Sequence, residues 1–135
     1  MRYACTLITV RDMARSKRFY HDLLGLEVIA DFGANVTLSD CLALQTLESW
    51  KTFIEKPDAE IIPGGNAFEL YFEATDMDSF LKKLTAYPGV EYVHPPKAHS
   101  WGQRVVRFYD PDRHIIEVGE EMAAVARRFY DGGMT

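Results

Sequence analysis

The stretch Thr9–Met13, which reads TVRDM, has a counterpart 64 residues later in Glu73–Met77, which reads EATDM. A second pair of landmarks keeps the same spacing, because Leu24–Val28 (LGLEV) and Pro88–Tyr92 (PGVEY) each contain a Gly-x-Glu triplet. Two landmarks with one spacing indicate an internal duplication, and a duplication constrains the fold more strongly than any single motif.

Each copy has the same local pattern. An alternating strand-like segment is followed by an aspartate, Asp12 or Asp76, that is suited to cap a helix N-terminus. Apolar residues then recur at helical spacing, and a glycine, Gly25 or Gly89, is suited to end the helix in the left-handed conformation. Three more strand-like segments follow each helix, so each copy is predicted to be a β-α-β-β-β module.

We therefore predict an α+β fold in which two tandem βαβββ modules form paired, curved mixed sheets around a central pocket, followed by a C-terminal helix. The predicted bounds are about 2–48 for module one, 49–66 for a connection, 67–119 for module two and 120–131 for the C-terminal helix. The connection contains Pro57 and Pro63–Gly65 and is interpreted as a lid or a linker. With 135 residues, 47% of them hydrophobic, the chain has the size and balance of one domain over 1–135.

Composition and charge argue against several partners. The formal charge of −5 comes from 15 basic and 20 acidic residues without a basic stripe, so we expect no nucleic-acid partner. Apolar runs are far shorter than the roughly 18 residues that a membrane-spanning helix requires, and the first residues do not resemble a signal peptide. We therefore expect a cytoplasmic protein that does not bind membranes.

The two copies together resemble the vicinal oxygen chelate superfamily, which includes glyoxalases, bleomycin- and fosfomycin-resistance proteins and extradiol dioxygenases. The resemblance covers roughly residues 2 to 119. It is carried by Val10–Asp12, Phe19–Tyr20, Leu24–Leu26, Phe108–Asp112 (FYDPD) and Ile115–Glu117. Because this fold hosts isomerases, transferases, oxygenases and drug-binding proteins, the resemblance implies a fold and a site but no particular activity.

In this superfamily, metal ligands come from the first and last strands of each module. The positions that match are Cys5, Gln45, Glu69 and Glu117. The resemblance implies that Glu69, Glu117 and Gln45 could hold one divalent ion (Mn, Ni, Zn or Mg) and that Cys5 and Gln45 contact the ligand. None of the four is histidine, which is the residue that familiar members place there, so we favour no bound metal over a bound one.

Strand alternation supports the two glutamates independently of the resemblance. In β-strands alternate side chains share a face, so Glu69 and Tyr71 lie opposite Phe68 and Leu70, and Glu117 lies between apolar neighbours. If the apolar faces pack on the helices, both carboxylates point to the other side of the sheet. We predict Glu69 and Glu117 as the catalytic pair and Tyr71 as a ligand contact; the alternative is that this face is merely solvated.

The loop 93–104 supplies the remaining candidates. His99, Trp101 and Arg104 could provide a general base, an apolar wall and an anion contact for a small polar ligand. The alternative is that Trp101 anchors the loop to the core and that His99 is simply exposed.

Two functions remain open at this stage. The first is a glyoxalase-like, metal-assisted lyase or isomerase that acts on a small polar substrate. The second is a metal-free protein that sequesters a small molecule, as bleomycin-resistance proteins do. Because the predicted C-terminal helix has no counterpart in the repeat and two-fold dimers are the commonest oligomers, we also expect a homodimer.

Overall fold

The computed structural model describes residues 1–133. Its contacts divide the chain into two units that follow the predicted duplication: Met1–Gly65 together with Pro111–Arg113, and Asn66–Asp110 together with the chain from His114 onward. Each unit contains one four-stranded mixed sheet. The α+β class and the two tandem modules are therefore confirmed.

The first unit has strand order β1-β4-β3-β2, with β1 and β4 parallel and the other pairs antiparallel. Its elements are β1 (Thr6–Val10), α1 (Met13–Arg18), a π-helical turn (Phe19–Leu23), β2 (Val28–Asp31), β3 (Asn35–Leu38), β4 (Leu42–Thr46) and α2 (Leu47–Ile54). As predicted, the Asp12 side chain caps α1 by accepting from the Arg15 N–H, and Gly25 has a φ of +74° after the helical segment.

The second unit repeats this topology with strand order β5-β8-β7-β6, and β5 and β8 are the parallel pair. Its elements are β5 (Glu69–Ala74), α3 (Met77–Ala86), β6 (Tyr92–Ala98), β7 (Arg104–Tyr109), β8 (Ile115–Glu120) and α4 (Met122–Gly133). Asp76 caps α3 through the Ser79 N–H, and Gly89 has a φ of +78°. The predicted C-terminal helix is present but begins and ends two residues later than expected.

The first part of the predicted connection 49–66 is helical, which the sequence analysis did not predict. Helix α2 begins after Thr46, whose side chain accepts from the Ser49 N–H, and ends at Glu55 in the left-handed conformation with a φ of 55°. Leu47, Trp50 and Ile54 recur at helical spacing, which provides the physical reason for the helix.

The turn at Pro111–Arg113 is packed within the first unit although it follows β7 in the chain. The Asp112 side chain is fully buried, accepts from the Arg11 N–H at 3.1 Å and pairs with the guanidinium groups of Arg11 and Arg15. Buried charges require such partners, so this aspartate stabilises the start of α1.

The two faces of the second sheet differ in character. Val106, Phe108, Ile116 and Val118 are buried, and the rings of Phe108 and Phe80 of α3 stack at a centroid distance of 6.2 Å. The apolar face therefore packs on the helix, as predicted, and the polar residues that alternate with it lie on the opposite face. Within residues 1–133, no helix has the length and apolarity needed to cross a bilayer.

Candidate functional site

The register of the second sheet brings the predicted glutamates and tyrosine together. Tyr71 of β5 lies beside Glu117 of β8 in the parallel pair, and Glu69 precedes Tyr71 by two residues on the same face. On the other side of β8, Arg107 of β7 is the cross-strand partner of Glu117. Three neighbouring strands thus place a tyrosine, two carboxylates and one guanidinium on a single face.

Arg107 bridges the two carboxylates. Its Nε donates to Glu69 Oε1 and its Nη2 donates to Glu117 Oε1, both at 2.8 Å. The side chain of Glu117 is only 8% exposed, compared with 24% for Arg107 and 32% for Glu69. A third donor of the guanidinium, on Nη1, faces Nε2 of His94 at 3.2 Å. Neither Arg107 nor His94 was expected from the sequence. The position of Arg107 across the predicted hairpin from Glu117 could have indicated that the two side chains pair.

The two carboxylates of this cluster have different protonation behaviour. Burial, and then the adjacent Glu69, raise the pKa of Glu117 to about 7 despite the neighbouring guanidinium. Burial also acts to raise the pKa of Glu69, but hydrogen bonds with Glu117 and Arg107 outweigh it and lower that pKa. Glu117 can therefore gain or lose a proton near neutral pH while Glu69 stays ionised.

The donor set does not fit a divalent cation. Both glutamates already pair with the guanidinium of Arg107 at 2.8 Å, so a divalent cation between them would lie beside a fixed positive charge. Across residues 1–133, no three side chains among His, Cys, Asp and Glu are grouped as a metal would need.

The two other positions implied by the resemblance lie in the first unit. Cys5 precedes β1 and is an exposed free thiol. Gln45 of β4 is buried, and its amide is engaged on both sides: Asn35 donates to Oε1 at 2.8 Å, and Nε2 donates to Ser49 at 2.5 Å. Ligand contact by Cys5 and Gln45 remains a prediction.

The loop before β7 presents a stacked pair of rings. The rings of His99 and Trp101 lie 4.1 Å apart between centroids with an interplanar angle of 16°. The Trp101 indole N–H donates to Gln103 Oε1 at 3.0 Å, and Gln103 Nε2 donates to the Tyr71 hydroxyl at 2.8 Å. Desolvation, and then nearby positive charges led by that of Lys97, lower the pKa of His99. The buried Gln103 thus connects Trp101 to Tyr71, a link that the sequence analysis missed.

Gly119 of β8 lies beside the Gln103 side chain. A Cβ added at Gly119 would lie 2.6 Å from Gln103 Nε2, closer than real Cβ atoms come to their neighbours. Gln103 Nε2 also donates to the Glu120 carbonyl oxygen at 3.0 Å. The absence of a side chain at Gly119 therefore makes room for the Gln103 amide.

Arg104, predicted as an anion contact, is already paired. Its Nη1 contacts Asp78 at 2.7 Å, and its Nε lies 3.5 Å from Glu120. Hydrogen bonds from Arg128, together with those from Arg104, lower the pKa of Glu120 to about 2. These contacts make Arg104 part of a separate ion-pair network in the second unit.

The comparisons agree with this architecture. The model of the glyoxalase-like domain family matches residues 3–123. The chain therefore belongs to this family, and with it to the vicinal oxygen chelate superfamily. No curated protein matches the chain significantly.

Solved structures give the same fold. A protein of unknown function from Agrobacterium tumefaciens str. C58 is 41% identical, with a TM-score of 0.81 over 90% of this chain and 94% of that one. A superfamily member from Sphaerobacter thermophilus DSM 20745 is 27% identical, with a TM-score of 0.65 over 90% and 98%. A glyoxalase-related enzyme from Fulvimarina pelagi is 17% identical, with a TM-score of 0.74 over 89% and 88%, and supports the fold alone.

Proposed function

We propose that this protein binds a small polar organic molecule, without a metal ion, on the face of the second sheet that carries Arg107. The observation that supports this most directly is the guanidinium of Arg107 held between Glu69 and Glu117 at 2.8 Å from each. Arg107 provides the positive charge that a metal would otherwise supply at these ligand positions.

The surroundings of the cluster suit a ligand. Tyr71 and Trp101 are 46% and 48% exposed, although both are held in place by Gln103. Large aromatic side chains that are exposed and yet fixed can contact a ligand without losing much conformational entropy on binding. The face therefore combines apolar contact area with a few fixed polar groups, as ligand sites commonly do.

A second candidate function is proton transfer, as in a lyase or isomerase that needs no metal. It is favoured by Glu117, whose pKa of about 7 is matched to general acid-base catalysis at neutral pH. A methylglyoxal–thiol assay tests the glyoxalase type of this chemistry. Turnover that is lost in Glu117→Gln would support proton transfer. Absence of turnover in the unaltered protein would contradict this type of chemistry, and small-molecule binding would be the one remaining candidate.

Thermal-shift measurements test the metal-free proposal. We expect Mn²⁺, Ni²⁺ and Zn²⁺ to leave the melting temperature unchanged, because Arg107 competes for the same carboxylates, and we expect at least one class in a library of small organic molecules to raise it. Stoichiometric metal in the purified protein, or a metal-dependent rise that is lost in Glu117→Gln, would contradict the proposal. So would a library in which no class stabilises the protein.

We also propose a homodimer, as expected from the sequence. The outermost strand of the first sheet, β2, carries two exposed apolar side chains, Val28 and Ile29, and Phe32 follows it with 77% exposure. Apolar residues on an unpaired strand edge are suited to contact a second copy. Light scattering at micromolar concentration should give twice the chain mass, and Ile29→Lys should shift it towards the monomer. A monomer in the unaltered protein would contradict the proposal.

A further inference from the structure

A chain of three hydrogen bonds runs from Trp101 through Gln103 and Tyr71 to Glu73, and the donor in each bond can be assigned. An indole N–H can only donate, so the group of Gln103 that faces Trp101 must be the oxygen Oε1. Gln103 Nε2 then donates to the Tyr71 hydroxyl, which in turn donates to Glu73 Oε2 at 2.9 Å. Tyr71 has therefore used its only proton and offers a ligand a lone pair.

Glu73 can also accept a further hydrogen bond. Its Oε2 accepts from Tyr71 and from the Met122 N–H at 3.1 Å. Its Oε1 has no donor among the contacts of the described residues. A Tyr71 lone pair and a Glu73 carboxylate oxygen can thus each accept a hydrogen bond from a ligand.

An apolar cavity is lined by residues that are hydrogen-bonded to this network. It has a volume of about 310 Å³ and is lined by Trp101, Met122, Val125, Ala126 and Tyr130. Two parts of the lining are hydrogen-bonded to the residues that carry the acceptors. Trp101 is connected to Tyr71 through Gln103, and the N–H of Met122, the first residue of α4, donates to Glu73. Trp101 and the start of α4 are thus fixed in position, and the size of the cavity suits a single ring with a short substituent.

We propose that this cavity binds a small organic amine, with the apolar ring between Trp101 and α4 and the ammonium group on Glu73 Oε1 and Tyr71 Oη. The charge supports a cation, because no basic side chain of the described residues pairs with Glu73. An ammonium group carries three donors and no acceptor, which matches two acceptors. The proposal rests on the proposed function, since it names the ligand class for the same face of the sheet.

Three probes of similar shape separate the possible ligand classes: benzylammonium, benzyl alcohol and benzoate. The fluorescence of Trp101 reports binding directly in a Trp50→Phe background, because the chain has two tryptophans. We expect saturable binding of benzylammonium, with benzyl alcohol and benzoate each about tenfold weaker or more. Tighter binding of benzoate would overturn the amine proposal while leaving metal-free binding of organic molecules intact.

Variants locate the site. Glu73→Gln should weaken benzylammonium binding about tenfold, whereas Glu60→Gln, which removes the same charge from an exposed position, should not change it. Ala126→Phe should fill the cavity and abolish binding, whereas Ala123→Phe, at a position of the same helix that does not line the cavity, should not. Equal binding in all four variants would overturn the proposed site. Binding of none of the probes, together with a library that stabilises nothing, would overturn both this proposal and the proposed function.

Discussion

Replacing Arg107 with leucine is expected to lower the free energy of unfolding by about 3 kcal/mol at neutral pH. The change leaves Glu69 and the largely buried Glu117 facing each other without the guanidinium that pairs with both. Removing one partner of a buried ion pair is costly because the remaining charge is neither hydrated nor compensated. Urea denaturation followed by circular dichroism measures the loss.

The pH dependence of that loss identifies its cause. Glu117 is protonated at about pH 4, but Glu69, whose pKa is lowered, takes up its proton only in stronger acid. The difference between the Arg107→Leu variant and the unaltered protein should therefore shrink as the pH falls and be smallest below about pH 3. Arg18→Leu is a matched control, because Arg18 is exposed on α1, and it should change stability by no more than about 0.5 kcal/mol. An equal loss for Arg107→Leu at acidic and neutral pH would point to lost packing and would contradict the electrostatic account.

Glu117→Gln is expected to make the protein more stable than the unaltered form in mild alkali. The pKa of Glu117 rises from 4.5 to about 7 on folding, so between these values the native state holds a proton that the unfolded chain has released. The stability of the unaltered protein therefore falls as pH increases through this window, by at most about 3 kcal/mol. Glutamine does not titrate, and its amide can still accept from Arg107 and donate to Glu69.

The signature of this variant is a difference that grows with pH. Glu117→Gln and the unaltered protein should have similar stability at about pH 4.5, and the variant should gain about 1–3 kcal/mol at about pH 8. Glu60→Gln provides the control, since its stability relative to the unaltered protein should not change over this range. A Glu117→Gln protein that is less stable than the unaltered form at about pH 8 would show that the charged form of Glu117 is the favoured one.

The sequence was sufficient to predict which side chains share the face of the site. It was not sufficient to predict Arg107, which pairs with both glutamates. Strand alternation was sufficient to place Glu69, Tyr71 and Glu117 together, because the side-chain period of a strand does not depend on its neighbours. The partner of Glu117 depends on the register of the hairpin, which is set by the length of its turn. The ladder closes at Tyr109 and Ile115, leaving 110–114 as the turn, and only with that length does Arg107 stand opposite Glu117.

The missed role of Gln103 also arises from tertiary contacts. In the sequence, no residue near Gln103 indicates a role for it. Its role follows from its contacts with Gly119 and Tyr71 in the folded protein. Helix α2 was overlooked because Pro57 and Pro63–Gly65 dominate the composition of the connection, although the Thr46 cap and the apolar spacing precede them. Local signals were therefore present for α2, whereas the role of Gln103 depends on contacts distant in sequence.

The placement of Asp112 in the first unit affects the order in which the chain can mature during synthesis. When the ribosome has completed the first unit up to Gly65, Arg11 and Arg15 still lack the carboxylate that neutralises them. At about 5–20 residues per second, that carboxylate is added several seconds later. The contacts of Asp112 with Arg11 and Arg15 therefore form only after most of the second module has been synthesised, although the two modules are copies of one pattern.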